Sequence, residues 1–199
     1  MLSDEEIKAI YERGKQNDLT DCHYGLFHDN KTYLQTTSYY YFLSGLVSHA
    51  NAERIIEIGT FRGGSTKALS SGFGQADGSV ISYDIKDFEP DFAGHPGIKP
   101  YIGDPLDPAA LEFARSSFPN GIDLLFIDGV HDGTATLAQT MSYQFMFQPK
   151  WIVWDDVNLN PSMQKFSTLA VVMPEVRNIA TDHPYVRRPA DGFGVWKRP

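Results

Sequence analysis

One segment of this 199-residue chain is more informative than any other, and it reads Arg54-Ile55-Ile56-Glu57-Ile58-Gly59-Thr60-Phe61-Arg62-Gly63-Gly64-Ser65-Thr66. Its short apolar run, bounded by glycine, predicts a buried strand of a parallel sheet. Gly59 allows a sharp turn at the carboxyl end of that strand, and Gly63 and Gly64 allow the backbone to come close to a ligand. The free N–H groups that begin the following helix favour an anionic group, and Ser65 adds a hydroxyl donor.

The spacing of these glycines excludes two common phosphate-binding motifs. It matches neither the G-x-x-x-x-G-K-[ST] pattern of a P-loop nor the G-x-G-x-x-G pattern of a dinucleotide site. Glu57, directly before the turn, would repel a pyrophosphate but could hold a ligand with an ammonium or other cationic group. A tight strand-to-helix connection with no ligand, which many α/β folds contain, is the alternative interpretation.

A second apolar strand also ends in an acid, and its sequence is Val80-Ile81-Ser82-Tyr83-Asp84. It begins about twenty residues after the glycine turn, where nucleotide-binding α/β units place a ribose-binding carboxylate. Asp84 could therefore accept hydrogen bonds from both ribose hydroxyls. An aspartate that only caps a turn is the alternative.

Glu57-x-Gly59-x-x-x-Gly63-x-Ser65, followed by Asp84, resembles the S-adenosylmethionine site of class I methyltransferases. The resemblance is to small metal-dependent O-methyltransferases, both the catechol type and those that act on sugar and antibiotic hydroxyls, and it extends from about Gln35 to the C-terminus. In that family the glycine loop holds the methionine end of the cofactor and the acid of the second strand holds the ribose. Gly103-Asp104, after the third strand, resembles the adenine-side acid. The cofactor-binding residues that the resemblance implies are Glu57, Gly59, Thr60, Phe61, Gly63, Ser65, Asp84, Ile85, Gly103, Asp104 and Asp128.

The order of the predicted elements indicates a single α/β domain over residues 1–199. An N-terminal helix and a lid or connection occupy residues 1–34, and a cofactor-binding core occupies residues 35–199. Further helices are predicted at 35–50, 64–72, 108–116, 133–146 and 162–172, and further strands at 79–84, 98–102, 122–127 and 150–155. This alternation predicts a Rossmann-like, mostly parallel sheet with helices on both faces. The family resemblance adds a closing antiparallel hairpin from residues 177–180 and 192–197.

Acidic residues follow two further apolar strands and predict a metal site. Asp128 ends one strand, and Asp155 and Asp156 end the next. Carboxyl ends of parallel strands meet at one crevice, where three carboxylates would raise one another's pKa. A hard divalent cation resolves this repulsion, and Mg²⁺ fits best. The family has an Asp-Asn pair where this chain has Asp155-Asp156. A helix cap formed by either aspartate is the alternative.

His131 lies three residues after Asp128, where catechol-type enzymes have a lysine that acts as general base. The resemblance thus implies that His131 is the base and that Asp128 belongs to the catalytic set. Imidazole titrates near neutral pH, so it can accept a hydroxyl proton without an extreme pKa shift. A solvated residue at the start of a helix is the alternative.

Composition restricts the partners of the protein. The formal net charge of −8 argues against nucleic acid as substrate. No apolar run approaches the roughly 20 residues of a membrane span, and no secretory signal is visible. Cys22 is the single cysteine, which fits a reducing cytoplasm. We therefore expect a cytoplasmic enzyme with a small-molecule acceptor, and a homo-oligomer remains open.

The function predicted from these features is S-adenosylmethionine-dependent O-methylation of a catechol-like, sugar or natural-product diol, assisted by a divalent metal. A metal-independent methyltransferase is one alternative. A non-catalytic protein that binds S-adenosylmethionine or a nucleoside is another. The acids at two strand ends together with His131 favour catalysis, because a binding protein needs neither metal nor base.

Overall fold

The structure is a computed structural model that describes residues 2–22, 38–168, 177–179 and 192–199. The helices within these residues are α1 (Asp4–Gly14), α2 (Ser38–Ala50), α3 (Gly64–Ser71), α4 (Pro108–Ser117), α5 (Gly133–Phe147) and α6 (Pro161–Thr168). The strands are β1 (Arg54–Ile58), β2 (Ser79–Asp84), β3 (Ile98–Ile102), β4 (Leu124–Ile127), β5 (Trp151–Asp155), β6 (Arg177–Ile179) and β7 (Phe193–Lys197).

These strands form one sheet in the order β3-β2-β1-β4-β5-β7-β6. The first five strands in this order are parallel, and β7 is antiparallel to both β5 and β6. The chain moves outward from β1 to β3 and then returns to β4, so the strand order reverses between β1 and β4. A crevice opens at the carboxyl ends of the strands at such a reversal. The predicted fold class is confirmed, including the closing antiparallel pair.

Two apolar clusters cover the two faces of the sheet. On one face, helices α1, α2 and α3 pack on side chains such as Ile55 and Phe126. On the other face, α4, α5 and α6 pack on side chains such as Ile56 and Leu125. Successive strand residues point to opposite faces, so the unbroken apolar run of β1 supplies both clusters.

The N-terminal helix belongs to this layered structure. It begins after Ser3, whose hydroxyl caps the helix by accepting a hydrogen bond of 3.1 Å from the Glu6 backbone N–H. Helix α1 then crosses α2 at two glycines. A Cβ at Gly14 would overlap the carbonyl oxygen of Tyr41, and one at Gly45 would overlap that of Ile10. Only glycine allows this close contact between the two backbones.

Some predicted segments differ from the observed ones. Strand β4 begins at Leu124, two residues later than predicted. Most of the predicted lid or connection, as residues 23–34, lies outside the described residues, and so do the ends predicted for two helices at 35–37 and 169–172. Within the described part of the chain, no helix is long and apolar enough to cross a membrane.

A buried carboxylate joins the amino-terminal ends of three strands. Both Asp123 oxygens bind the Arg54 guanidinium at 3.0 and 3.1 Å, and Lys150 Nζ lies 2.9 Å from one of them. The backbone N–H groups of Glu53 and Arg54 also donate to this carboxylate. Burial raises the pKa of Asp123, but these donors outweigh burial and lower it to about 2. These residues lie at the amino-terminal ends of the strands, whereas the crevice lies at their carboxyl ends.

Candidate active site

A pocket of about 750 Å³ lies at the carboxyl ends of the central strands. Its volume is within the range of sites for cofactors and small ligands. The predicted residues that line it are Gly59, Thr60, Phe61, Ser65, Asp84, Ile85, Asp104, Asp128, His131 and Asp156. The structure therefore brings most of the predicted cofactor, catalytic and metal residues to one cavity. Glu57, Gly63, Gly103 and Asp155 do not line it.

The loop after β1 is fixed between its two neighbouring strands. Gly59 has a φ of +107°, and its N–H donates to the Tyr83 carbonyl of β2 at 2.8 Å. On its other side, a Cβ at Gly59 would overlap the carbonyl oxygen of Asp128. Any other residue here would move Asp128, which lies in the pocket wall.

Gly63 has a different neighbour from the predicted one. Its φ is +80°, and an added Cβ would lie 2.5 Å from the Phe92 ring. Gly63 thus allows the loop over residues 85–97 to pack against the start of α3. The close approach that the structure shows at Gly63 is to this protein segment, and Gly64 beside it lines the pocket.

Glu57 does not face the pocket. Its side chain is completely buried and accepts hydrogen bonds from the hydroxyls of Ser65 (2.6 Å), Thr66 (2.5 Å) and Ser82 (2.5 Å). The expected contact between Glu57 and a cationic ligand is therefore corrected, because the carboxyl is sealed behind the loop. Burial raises the pKa of Glu57 to about 7, although the three hydroxyls oppose this shift. Glu57 instead joins β1, β2 and α3.

Asp84 stabilises a strained backbone in the pocket wall. One of its oxygens accepts from the Phe61 N–H at 2.7 Å, and the other accepts from the Lys86 N–H at 3.2 Å. Phe61 has a φ of +44°, which is uncommon for a residue other than glycine. A carboxylate oxygen has two lone pairs, so each oxygen of Asp84 can accept a further hydrogen bond. Ile85 follows with 79% of its surface exposed, beside the same pocket.

Asp128, His131 and Asp156 form a cluster at the far side of the pocket. One ligand atom from each lies within 4.8 Å of the other two, and His131 Nε2 is 3.5 Å from Asp156 Oδ2. Asp156 has a φ of +52°, a conformation that aspartate and asparagine tolerate better than most residues. Two carboxylates and one imidazole at this separation fit a divalent cation.

The structure does not bring Asp155 into this cluster. Asp155 is buried and pairs with Phe193 in the ladder between β5 and β7, whereas Asp156 follows the strand. The backbone leaves the extended conformation at Asp156, and the side chain of Asp155 is not among those whose ligand atoms lie within 4.8 Å of one another. Of the predicted metal ligands, Asp128 and Asp156 thus lie in one cluster with His131, and Asp155 lies outside it.

Gln139 is one of the polar residues of the pocket wall that sequence reasoning missed. Gln139 of α5 is only 6% exposed, and within the described part of the chain its Oε1 has no hydrogen-bond partner. Its signal in the sequence is weak, because glutamine is an ordinary residue on a surface helix. Its four-residue spacing from Ala135 and Tyr143 places all three on one side of α5.

The segment 56–157, from β1 to just beyond β5, matches a family model described as a methyltransferase domain. The chain belongs to this family. The matched residues include the glycine loop, Asp84 and the Asp128–His131–Asp156 cluster, so the match covers all of the pocket lining except Tyr40. The prediction of a class I methyltransferase from the sequence is confirmed.

Solved structures share the fold of this methyltransferase at low sequence identity. Cofactor-bound Rv0187 from MTB is 19% identical with a TM-score of 0.65, and the alignment covers 97% of this chain and 88% of that one. The O-methyltransferase from Bacillus cereus, in complex with SAH, is 18% identical with a TM-score of 0.59 over 100% and 93%. TomG, an O-methyltransferase from Streptomyces achromogenes involved in tomaymycin synthesis and in complex with SAM, is 16% identical with a TM-score of 0.59 over 100% of both chains. No curated protein sequence matches the chain.

Proposed function

We propose that this methyltransferase transfers a methyl group from S-adenosylmethionine to a hydroxyl oxygen of a small molecule. The observation that carries the proposal is that one pocket contains both the glycine loop with Asp84 and the Asp128–His131–Asp156 cluster. The first part is suited to a nucleoside cofactor and the second to an acceptor hydroxyl. Two of the similar structures are described as O-methyltransferases in complex with SAH or SAM, which supports this choice.

The cofactor would extend along the edge formed by β1, β2 and β3. The loop from Gly59 to Ser65 would contact the methionine end, and Asp84 would accept hydrogen bonds from the ribose hydroxyls. Asp104, in the segment after β3, would lie beside the adenine. Glu57 has an indirect role in this arrangement, because its bond to Ser65 Oγ holds in place a residue of the pocket wall.

The acceptor would lie against the Asp128–His131–Asp156 cluster. Asp128 and Asp156 are the proposed ligands of a divalent cation, and Mg²⁺ is the cation that we propose. His131 is the proposed general base. When bound, such a cation would stabilise the developing alkoxide on the acceptor. His131 Nε2 is the atom that would take the hydroxyl proton. The His131 side chain lines the pocket and is more than one-third exposed. The methyl group would move from sulfur to oxygen, so that the sulfonium becomes a neutral thioether.

Positioning is the main contribution of the protein to this reaction. The sulfur, the methyl carbon and the acceptor oxygen must lie in a line, with carbon and oxygen at near-attack distance. The loop from Gly59 to Ser65 would position the sulfur, and the Asp128–His131–Asp156 cluster would position the oxygen. We propose a catechol-like or sugar-like diol as acceptor, because two adjacent oxygens suit a site with a cation.

The first experiment measures cofactor binding and metal dependence separately. Calorimetry with SAH tests the cofactor site, and turnover of catechol and sugar-diol acceptors is then measured with Mg²⁺ and with EDTA. We expect SAH binding in both conditions and turnover only with Mg²⁺. Asp156→Ala should lose turnover and keep SAH binding, whereas Asp107→Ala, which removes an exposed acid outside the pocket, should change neither.

Each negative result has its own meaning. Absence of SAH binding would reject the proposed function. Full turnover in EDTA would reject the metal and leave a metal-independent methyltransferase. Normal SAH binding without turnover of any acceptor would favour a cofactor-binding protein.

A further inference from the structure

The loop over residues 85–97, between β2 and β3, packs on the glycine loop of the pocket. The Phe92 ring lies so close to Gly63 that an added Cβ would be 2.5 Å from it. The Phe88 ring packs against the Phe61 ring, with the two centroids 4.8 Å apart. Phe61 and Phe88 both line the pocket. The position of this loop therefore determines part of the pocket wall.

This loop contains no helix or strand, and side-chain hydrogen bonds hold both of its ends. At its start, the Asp84 carboxylate accepts from the Lys86 N–H at 3.2 Å. At its end, His95 Nε2 lies 2.9 Å from Asp21 Oδ2. An ionised carboxylate can only accept, so the imidazole is the donor. The His95 N–H donates to the Phe92 carbonyl at 3.0 Å, so the imidazole and the Phe92 ring belong to one turn.

Asp21 is also connected to helix α3. The Lys67 side chain is only 10% exposed, and its Nζ lies 3.7 Å from Asp21 Oδ2 and 3.4 Å from the Asp21 carbonyl oxygen. A lysine that is nearly buried needs such a partner. Lys67 lies in the first turn of α3, and its N–H donates to the Gly63 carbonyl at 3.0 Å. Asp21 thus holds the turn of His95 against the helix that begins at the glycine loop.

We propose that His95 is a positioning residue for the cofactor, because its hydrogen bond to Asp21 keeps the Phe92 turn packed on Gly63. The inference rests on the proposed function. His95 does not line the pocket, so it acts through the loop and the wall at Phe61. Without this bond, the loop would occupy its position in only a fraction of the molecules. The apparent dissociation constant of the cofactor then rises by the inverse of that fraction.

Calorimetry with SAH on the wild type, His95→Leu and His95→Gln tests the hydrogen bond. Leucine fills much of the space of the imidazole but has no donor, whereas the glutamine amide can place an N–H group near the position of Nε2. We expect the dissociation constant of SAH to rise about 5-fold in His95→Leu, as for a loop that is in place in about one molecule in five. In His95→Gln it should stay within about 2-fold of the wild type.

A double-mutant cycle tests whether His95 acts through Phe92. In the Phe92→Leu background the ring that packs on Gly63 is already removed, so the further change His95→Leu should raise the dissociation constant by about 2-fold or less. Glu12→Ala is the matched control. It removes the ion pair between Glu12 and Lys15 on α1, where the carboxylate is about as exposed as that of Asp21, and SAH binding should not change.

Several results would overturn the inference. If His95→Leu has a lower melting temperature but binds SAH as tightly as the wild type, His95 is only structural. If His95→Gln binds as weakly as His95→Leu, or if the effect of His95→Leu persists in full with Phe92→Leu, the proposed route is wrong. If His95→Leu does not fold, Asp21→Asn replaces it in the cycle, with an expected rise of about 3-fold that should disappear with Phe92→Leu. If the wild type does not bind SAH at all, the proposed function fails, and this inference with it.

Discussion

The buried carboxyl of Glu57 should make the stability of this protein fall as pH rises through the neutral range. In the unfolded chain this group titrates near 4.5, and in the folded protein burial raises its pKa to about 7. Between these two values the folded state binds a proton that the unfolded state has already lost. The free energy of unfolding therefore decreases with increasing pH in this window. Above about pH 7 the folded protein carries the full free-energy cost of a buried, ionised Glu57.

The magnitude follows from the size of the shift. Each pKa unit corresponds to about 1.4 kcal/mol, so the change from 4.5 to about 7 amounts to roughly 3 kcal/mol. The hydroxyls around Glu57 can adapt to both charge states, because a hydroxyl can donate to a carboxylate or accept from a carboxylic acid. The hydroxyls of Thr60 and Ser82, 2.6 Å apart, extend this network away from the carboxyl.

Urea unfolding of the wild type and Glu57→Gln over pH 4.5–8.5 measures the effect. Glutamine keeps the size and the hydrogen-bonding ability of the protonated acid but does not ionise. The difference in unfolding free energy between Glu57→Gln and the wild type should rise in favour of the variant by roughly 3 kcal/mol across the window. Other titrating groups cancel in this difference. A difference that does not vary with pH would show that Glu57 ionises normally in the folded protein, and the reasoning would be refuted.

Three further predictions concern the ligand site and the opposite edge of the sheet. Asp84→Ala should weaken SAH binding by about 1.5–3 kcal/mol in calorimetry, as for loss of hydrogen bonds to a charged group; unchanged affinity would remove Asp84 from the site. His131→Ala should lower turnover by about 10²–10⁴-fold, with a smaller loss at higher pH, since the acceptor then ionises without help; an equally large loss of Mn²⁺ affinity would instead make His131 a ligand. Asp123→Asn should cost roughly 2 kcal/mol of stability at pH 7, because the pKa of Asp123 is lowered from 3.8 to about 2. That cost should disappear as pH falls from about 4 to 2, and thermal unfolding that shows the same cost at both ends would contradict it.

The order and most bounds of the elements could be predicted because local signals agree with the fold. Strand β2 ends at Asp84 and β3 ends at Ile102, as predicted, and each apolar run stops at a polar residue or a glycine. Helix α4 begins at Pro108, where proline is favoured at the first helical position. Asp107 precedes it, and its side chain makes no capping bond.

The arrangement of the site could be predicted only in part. The sequence shows which strand ends carry acids but not which side of the sheet each carboxylate faces, and this is why Asp155 was expected beside Asp156. The role of Glu57 depends on Ser82, which is 25 residues away and becomes a neighbour only when β2 pairs with β1. Gln139 reaches the pocket because Tyr143 holds α5 against Pro105, a contact that no local pattern encodes.

The protonation state of Glu57 affects the repulsion among the negative charges of the crevice. Asp84, Asp104, Asp128 and Asp156 all line one pocket, and an ionised Glu57 behind the loop would add to their mutual repulsion. Burial, and to a smaller extent the nearby Asp84 carboxylate, raises the pKa of Glu57 and so favours its neutral form. The carboxylates that stay ionised are then the four in the pocket wall, which a ligand can reach. A cofactor with sulfonium and ammonium groups and a divalent cation at Asp128 and Asp156 would together offset their charge. The same acids that repel one another would then stabilise the pocket with its cationic ligands bound. The net charge of the whole chain, −8, gives no comparable attraction for an anionic polymer.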